Sequence, residues 1–113
     1  MATYQNLPVF RASYDFLTDF YIFSKNLPKE YKYTVGEKIK GEALELILKI
    51  HKANASTEKR KQVIEEAIEH VERVRILLRL LKDTQKIGLE KFVELSEKIE
   101  SVNRQLSGWR GVS

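Results

Sequence analysis

The sequence predicts an all-α protein, an up-down-up-down antiparallel four-helix bundle, and three observations predict it. Apolar residues recur at steps of three and four along nearly the whole chain, with almost no strand-like alternation. Glycine and proline concentrate at a few junctions, and the short connections this leaves favour antiparallel neighbours. The 113 residues, 42% hydrophobic and 32% charged, suffice for one core and hence one domain spanning 1–113.

The first helix is expected over about 8–26. Asn6 offers a cap, Pro8 suits a first turn, and Leu27-Pro28 ends the helix because the residue before proline is pushed out of the helical region. Its core stripe is Val9, Ala12, Phe16, Phe20, Phe23 and Leu27, with Phe10, Tyr14, Leu17 and Tyr21 on the adjoining face. The second helix is expected over 34–54, opened by a capping box in which Thr34 and Glu37 each satisfy a free backbone amide. Ile39, Ala43, Leu46, Ile47, Ile50 and Ala53 face its core, while Gly41, Leu44 and Leu48 form a second apolar edge.

The third helix is expected over 57–85, capped by Ser56 or Asn54, with Ile64, Ala67, Val71, Val74, Leu78 and Leu81 as its seam. Gly88 marks the last junction. The fourth helix is expected over 89–106 on Phe92, Leu95, Ile99, Val102 and Leu106, with Glu94/Lys98 and Glu100/Arg104 as four-apart ion pairs and 107–113 as a tail.

Composition narrows the function. The chain has no cysteine, which removes disulfides and cysteine metal sites. Its two histidines, His51 and His70, lie on different helices without the Glu-x-x-His spacing of a di-iron bundle, and no glycine-rich phosphate loop or nucleophile elbow occurs. No catalytic residue, metal ligand or cofactor is therefore expected. The start of the chain lacks a secretory signal, no apolar run approaches the ~20 residues of a membrane span, and a cytoplasmic location is the expectation. The sequon at Asn54-Ala55-Ser56 is accordingly read as cap chemistry.

The net charge is +4, and the whole excess falls in residues 29–61, with nine basic against five acidic side chains. Two stretches there and beyond suit a polyanion. Arg75, Arg79, Lys82 and Lys86 repeat at four, three and four, forming a cationic stripe beside the third seam. Lys25, Lys29, Lys32, Lys38 and Lys40, with Tyr31 and Tyr33 among them, combine phosphate and base-stacking chemistry around the first junction. The alternatives are arginines that bridge helices and tyrosines that pin a loop to the bundle end. Ile76, Leu77 and Leu80 lie off the third seam and, with Leu44 and Leu48, imply a homo-oligomeric contact unless they pack within the monomer. Trp109 either plugs the bundle end or anchors a partner.

The residue order NLPKEYKYTVGEKI (26–39), RVRILLRLLKD (73–83) and SGWRG (107–111) resembles the four-helix-bundle family that contains the accessory variability determinant (Avd) of diversity-generating retroelements and the related large-subunit rRNA intervening-sequence proteins. Pro28-Lys29 with Tyr33-Thr34-Val35-Gly36-Glu37 matches the family's first interhelical turn, Arg75 and Arg79-Leu80 its third-helix arginines, and Gly108-Trp109 the Avd ending. The resemblance implies a non-enzymatic protein that assembles as a basic homopentameric barrel, binds template RNA or cDNA, and partners the retroelement reverse transcriptase in mutagenic cDNA synthesis and retrohoming. On this reading Arg75, Arg79, Lys82, Lys86, Lys29, Lys32, Lys38 and Lys40 contact nucleic acid, and Leu44, Leu48, Ile76, Leu77, Leu80 and Trp109 contact partners. The alternative is a structural bundle of the intervening-sequence type, whose arginines bridge helices or subunits.

Overall fold

The computed structural model describes residues 3–113; residues 1 and 2, included in the expected domain 1–113, lie outside the described residues. Four long helices account for most of the chain: α1 (Pro8–Ser24), α2 (Glu37–Ala55), α3 (Arg60–Asp83) and α4 (Leu89–Gly111). No strand occurs among the described residues. Each helix packs on the next and α1 also packs on α4, so the four stand at the corners of a square. Cross-helix pairs give the directions. Asp15 and Asp19 meet Lys98 and Lys91, Glu42 and Lys49 meet His70 and Glu66, and Arg75 and Lys82 meet Glu100 and Phe92, so neighbours are antiparallel. The result is an up-and-down bundle measuring 43 × 19 × 19 Å.

The expected seams of α2 and α3 are buried in full, and Leu95, Ile99, Val102 and Leu106 close the core from α4. In α1 the seam differs: Ser13 and Ser24 are buried, whereas Ala12 and Phe23 are only partly so. Burial of these hydroxyls is tolerated because each donates to a backbone carbonyl, Ser13 to Val9 and Ser24 to Tyr21, at 2.8 Å.

The helix ends depart from expectation in several places. Asn6 belongs to a short 3-10 turn (Tyr4–Asn6); α1 is entered from an extended Leu7, with Pro8 at its first position and no side-chain cap, and ends at Ser24. Thr57 to Lys59 form a turn, so α3 starts at Arg60; the Ser56 hydroxyl accepts the Lys59 amide. Asn54 does not cap α3: its carbonyl and that of Ala53 accept from the Arg60 guanidinium, which satisfies the open end of α2. α3 ends at Asp83, and Gln85 takes the left-handed conformation (φ 58°) while the Lys86 amide reaches back to the Leu81 carbonyl. Finally, 107–111 is not a tail. Trp109 lies three residues beyond Leu106 and packs against the core, which carries α4 on to Gly111.

The largest departure precedes α2. The expected capping box at Thr34 does not form: a helical turn begins at Lys29–Tyr31, passes through a π-helical segment at Lys32–Gly36 and runs directly into α2. Thr34 donates its hydroxyl to the Glu30 carbonyl, and Glu37 pairs with Lys40. The cause is a line of apolar residues exactly four apart in number, Leu27, Tyr31, Val35 and Ile39, all packed in or against the core. An α-helix would rotate that line steadily off the core, whereas one wider turn restores its register. Gly36 lets the wide turn close without displacing its neighbours, since a β-carbon there would lie 3.2 Å from the Tyr31 carbonyl oxygen and 3.3 Å from Leu27 Cδ1.

Candidate nucleic-acid interface

Up-and-down connectivity gathers the C-terminal ends of α1 and α3 and the N-terminal ends of α2 and α4 at one pole. Lys25, Lys29 and Lys32 arrive there with the first junction, and Lys82 and Lys86 with the end of α3. Lys86 Nζ lies 5.2 Å from the Tyr31 ring centroid, a cation–π contact that joins the two segments directly. Lys82 Nζ lies 5.2 Å from the Phe92 ring at the same end. Among the described residues these five lysines form no ion pair. The acids on these segments are Glu30, Glu37, Asp83 and Glu90, of which Asp83 faces Arg79 at 3.4 Å and Glu37 faces Lys40 at 3.2 Å. The pole therefore carries surplus positive charge, with Lys82 and Lys86 seated on aromatic rings, which suits a row of phosphates.

The remaining expected basic contacts are distributed differently. Arg75 is not a free cation on a stripe: its Nε and Nη2 each donate to Glu100 at 2.6 Å, and Nη1 donates to Glu72 at 2.7 Å. The Arg75 guanidinium holds the Glu100 carboxyl below its ordinary value, against the upward push of burial; Glu100 in turn raises Arg75. Arg75 thus bridges α3 and α4, the alternative its spacing left open, because the bidentate fork finds a carboxylate on the neighbouring helix. Arg79 is well exposed, and among the described residues its one ion pair is with Asp83. Lys40 is engaged by Glu37 and lies 4.0 Å from the Tyr21 ring centroid. Lys38, in the first turn of α2, lies at an apolar groove of about 180 Å³ with Glu42, Arg73, Ile76 and Leu77, between α2 and α3.

Cross-helix pairing also displaces the expected pairs within α4. Lys98 reaches Asp15 and Asp19 at 3.2 and 3.1 Å instead of Glu94, and Glu100 serves Arg75 instead of Arg104. Burial pushes the Asp19 carboxyl up, but Lys91 and Lys98 together carry it below its ordinary value of 3.8. The spacing does not single out Asp15 or Asp19, since it says nothing about the facing helix.

Of the expected partner contacts, Leu77 and Trp109 pack against the core of their own bundle, and the Arg60 guanidinium lies 5.6 Å from the Trp109 ring. Leu44 and Leu48 are half exposed, as are Tyr14 and Tyr21 across the α1–α2 face. Ile76 and Leu80 are exposed on α3. His51 packs edge-on against Tyr4, and His70 Nδ1 lies 2.7 Å from Glu42. No group of three metal-ligating side chains is gathered among the described residues. Nor, among them, is any helix long and apolar enough to cross a membrane.

Fold and surface together define a four-helix bundle with ion-paired sides, a lysine-rich pole and two exposed apolar patches. The chain belongs to the bAvd-like family, whose model matches residues 8–112. This membership supports an accessory role in a diversity-generating retroelement. A comparison with curated proteins finds no match.

Proposed function

We propose that this chain is a non-enzymatic cytoplasmic accessory protein of a diversity-generating retroelement that binds template RNA or cDNA at its lysine pole and docks on the reverse transcriptase. The observation that carries the nucleic-acid reading is the seating of Lys86 over Tyr31, which unites Lys29 and Lys32 with Lys82 and Lys86 on one surface. Arg79 extends that surface along α3, and Lys38 and Lys40 stand in the first turn of α2. Contacts to phosphate make the affinity salt-sensitive and weakly sequence-selective.

The same reading includes a homo-oligomer, a pentameric ring. Tyr21 and Leu44 line one groove between α1 and α2, with Tyr14 and Leu48 exposed on the same two helices, and Ile76 and Leu80 lie on another helix. Two unlike apolar patches suit a head-to-tail contact, in which each copy offers one patch to the next. The reverse transcriptase then docks on surface that the ring leaves open. Ring assembly also multiplies the modest charge of one chain.

A second reading, the structural bundle without a nucleic-acid ligand, is favoured by the Arg75 bridge to Glu100 and Glu72. One experiment separates the two. Light scattering gives the mass, expected near five times 13.2 kDa, and filter binding to a structured RNA is measured across salt. Changing Lys29, Lys32, Lys82 and Lys86 to Glu is expected to abolish binding at unchanged mass. Undiminished binding by the folded variant refutes the pole as the site, and no binding by the unaltered protein at low salt favours the second reading.

A further inference from the structure

Tyr31 and Tyr33 sit two residues apart in the sequence, yet the fold treats them differently. Tyr31 is partly buried, packs against the core and carries Lys86 on its ring. Tyr33, inside the π-helical segment, is 64% exposed. Among the described residues its ring has no aromatic or cationic partner, in contrast to Tyr14, stacked on Phe10, and Tyr21, overlaid by Lys40. Packing within the bundle does not account for this side chain.

Its setting is charged and rigid. Lys29 stands four residues earlier, about one turn away, and Lys32 is adjacent in the chain; both belong to the lysine pole. The segment that presents the ring is helical and continuous with α2, and Gly36, where an added β-carbon would lie 3.2 Å from the Tyr31 carbonyl oxygen, closes its wide turn. A π turn of this kind commonly occurs at functional sites. An exposed aromatic face held on firm backbone among lysines meets both needs of single-strand recognition, a stacking surface for a base and cations for the flanking phosphates. Bases inside a duplex are stacked on one another and cannot offer a free face to it.

We infer that Tyr33 is a stacking platform for an unpaired base, so that the lysine pole selects single-stranded nucleic acid, or single-stranded segments of a folded RNA, over continuous duplex. The inference rests on the nucleic-acid reading above and adds the class of ligand. Lys29 and Lys32 hold the adjoining phosphates, and Tyr33 adds a contact that is indifferent to salt and tolerant of base identity.

The test measures fluorescence anisotropy of a labelled 12-nucleotide oligo-dT and of a 12-base-pair duplex with the full chain and with Tyr33→Ala and Tyr33→Phe. Tyr33→Ala is expected to weaken the single strand about tenfold, to change duplex affinity less than twofold, and to leave the salt slope unaltered because no charge is lost. Tyr33→Phe retains the tight binding, since the ring and not the hydroxyl stacks. Equal losses on both ligands, or no loss on either, overturn the stacking role while leaving phosphate binding by the pole intact. A drop in light-scattering mass for Tyr33→Ala also overturns it, because the ring is then an assembly contact. If the unaltered protein binds neither probe, the nucleic-acid reading itself fails and this inference with it.

Discussion

Replacing Arg75 by Gln tests whether this arginine is a structural bridge or a phosphate ligand. The guanidinium makes a two-pronged contact with Glu100 at 2.6 Å and a third bond with Glu72 at 2.7 Å, with side chains 31%, 42% and 59% exposed. Exposed ion pairs contribute roughly 0.2–1 kcal/mol, and bidentate geometry puts the Glu100 pair at the upper end, about 1 kcal/mol after solvent screening. A double-mutant cycle of Arg75→Gln and Glu100→Gln is the assay. A coupling of about 1 kcal/mol corresponds to a shift of about 4 °C in melting temperature for a domain of this size. The coupling shrinks in 1 M salt, where the screening length falls to about 3 Å. Because the folded Glu100 titrates below its unfolded value near 4.5, its contribution is fully present above that pH and disappears as pH falls through the folded value. A coupling below about 0.2 kcal/mol, with RNA affinity lost instead, refutes the bridge and returns Arg75 to the phosphate-binding surface.

Two further predictions concern the core side of the bundle and the π segment. Asp19→Asn leaves Lys91 and Lys98 facing each other without their shared carboxylate, and is expected to cost about 2 kcal/mol in urea unfolding at pH 7. Its folded pKa lies below 3.8, so the unaltered protein loses this contribution as pH falls through that folded value; the gap between the two proteins should close only in that acid range. Gly36→Leu forces a β-carbon against the Tyr31 carbonyl and Leu27, and is expected to cost about 1–3 kcal/mol. An unchanged urea midpoint in the leucine variant means that the turn does not depend on that close approach.

The bundle itself was legible in the chain because helix formation and helix burial depend on short-range periodicity. Ile39, Leu46 and Ile50 in α2, and Val71, Val74 and Leu78 in α3, lie on stripes that any helix of this sequence must turn one way, and all are buried. The family, too, was legible in the order of residues along the chain, and it matches over residues 8–112. The helix ends were less so. The box Thr34-Val35-Gly36-Glu37 has the right residues for a cap, but burying Leu27, Tyr31 and Val35 along one line outweighs the cap and draws the helix back to Lys29.

What only the tertiary structure decided is which charges remain available. Arg75, Arg79 and Lys82 share α3 and Lys86 follows just past its end, all at helical spacing in the chain, yet Arg75 finds Glu100 across a helix boundary, 25 residues away, whereas Lys86 finds the ring of Tyr31. Likewise Lys98 passes over its neighbour Glu94 for Asp15 and Asp19 on α1. Periodicity places a side chain on a face of its own helix, but an ion pair forms with whatever the adjoining helix presents at that height. Antiparallel packing sets those heights, and through them it leaves the lysines of two distant segments together at one pole.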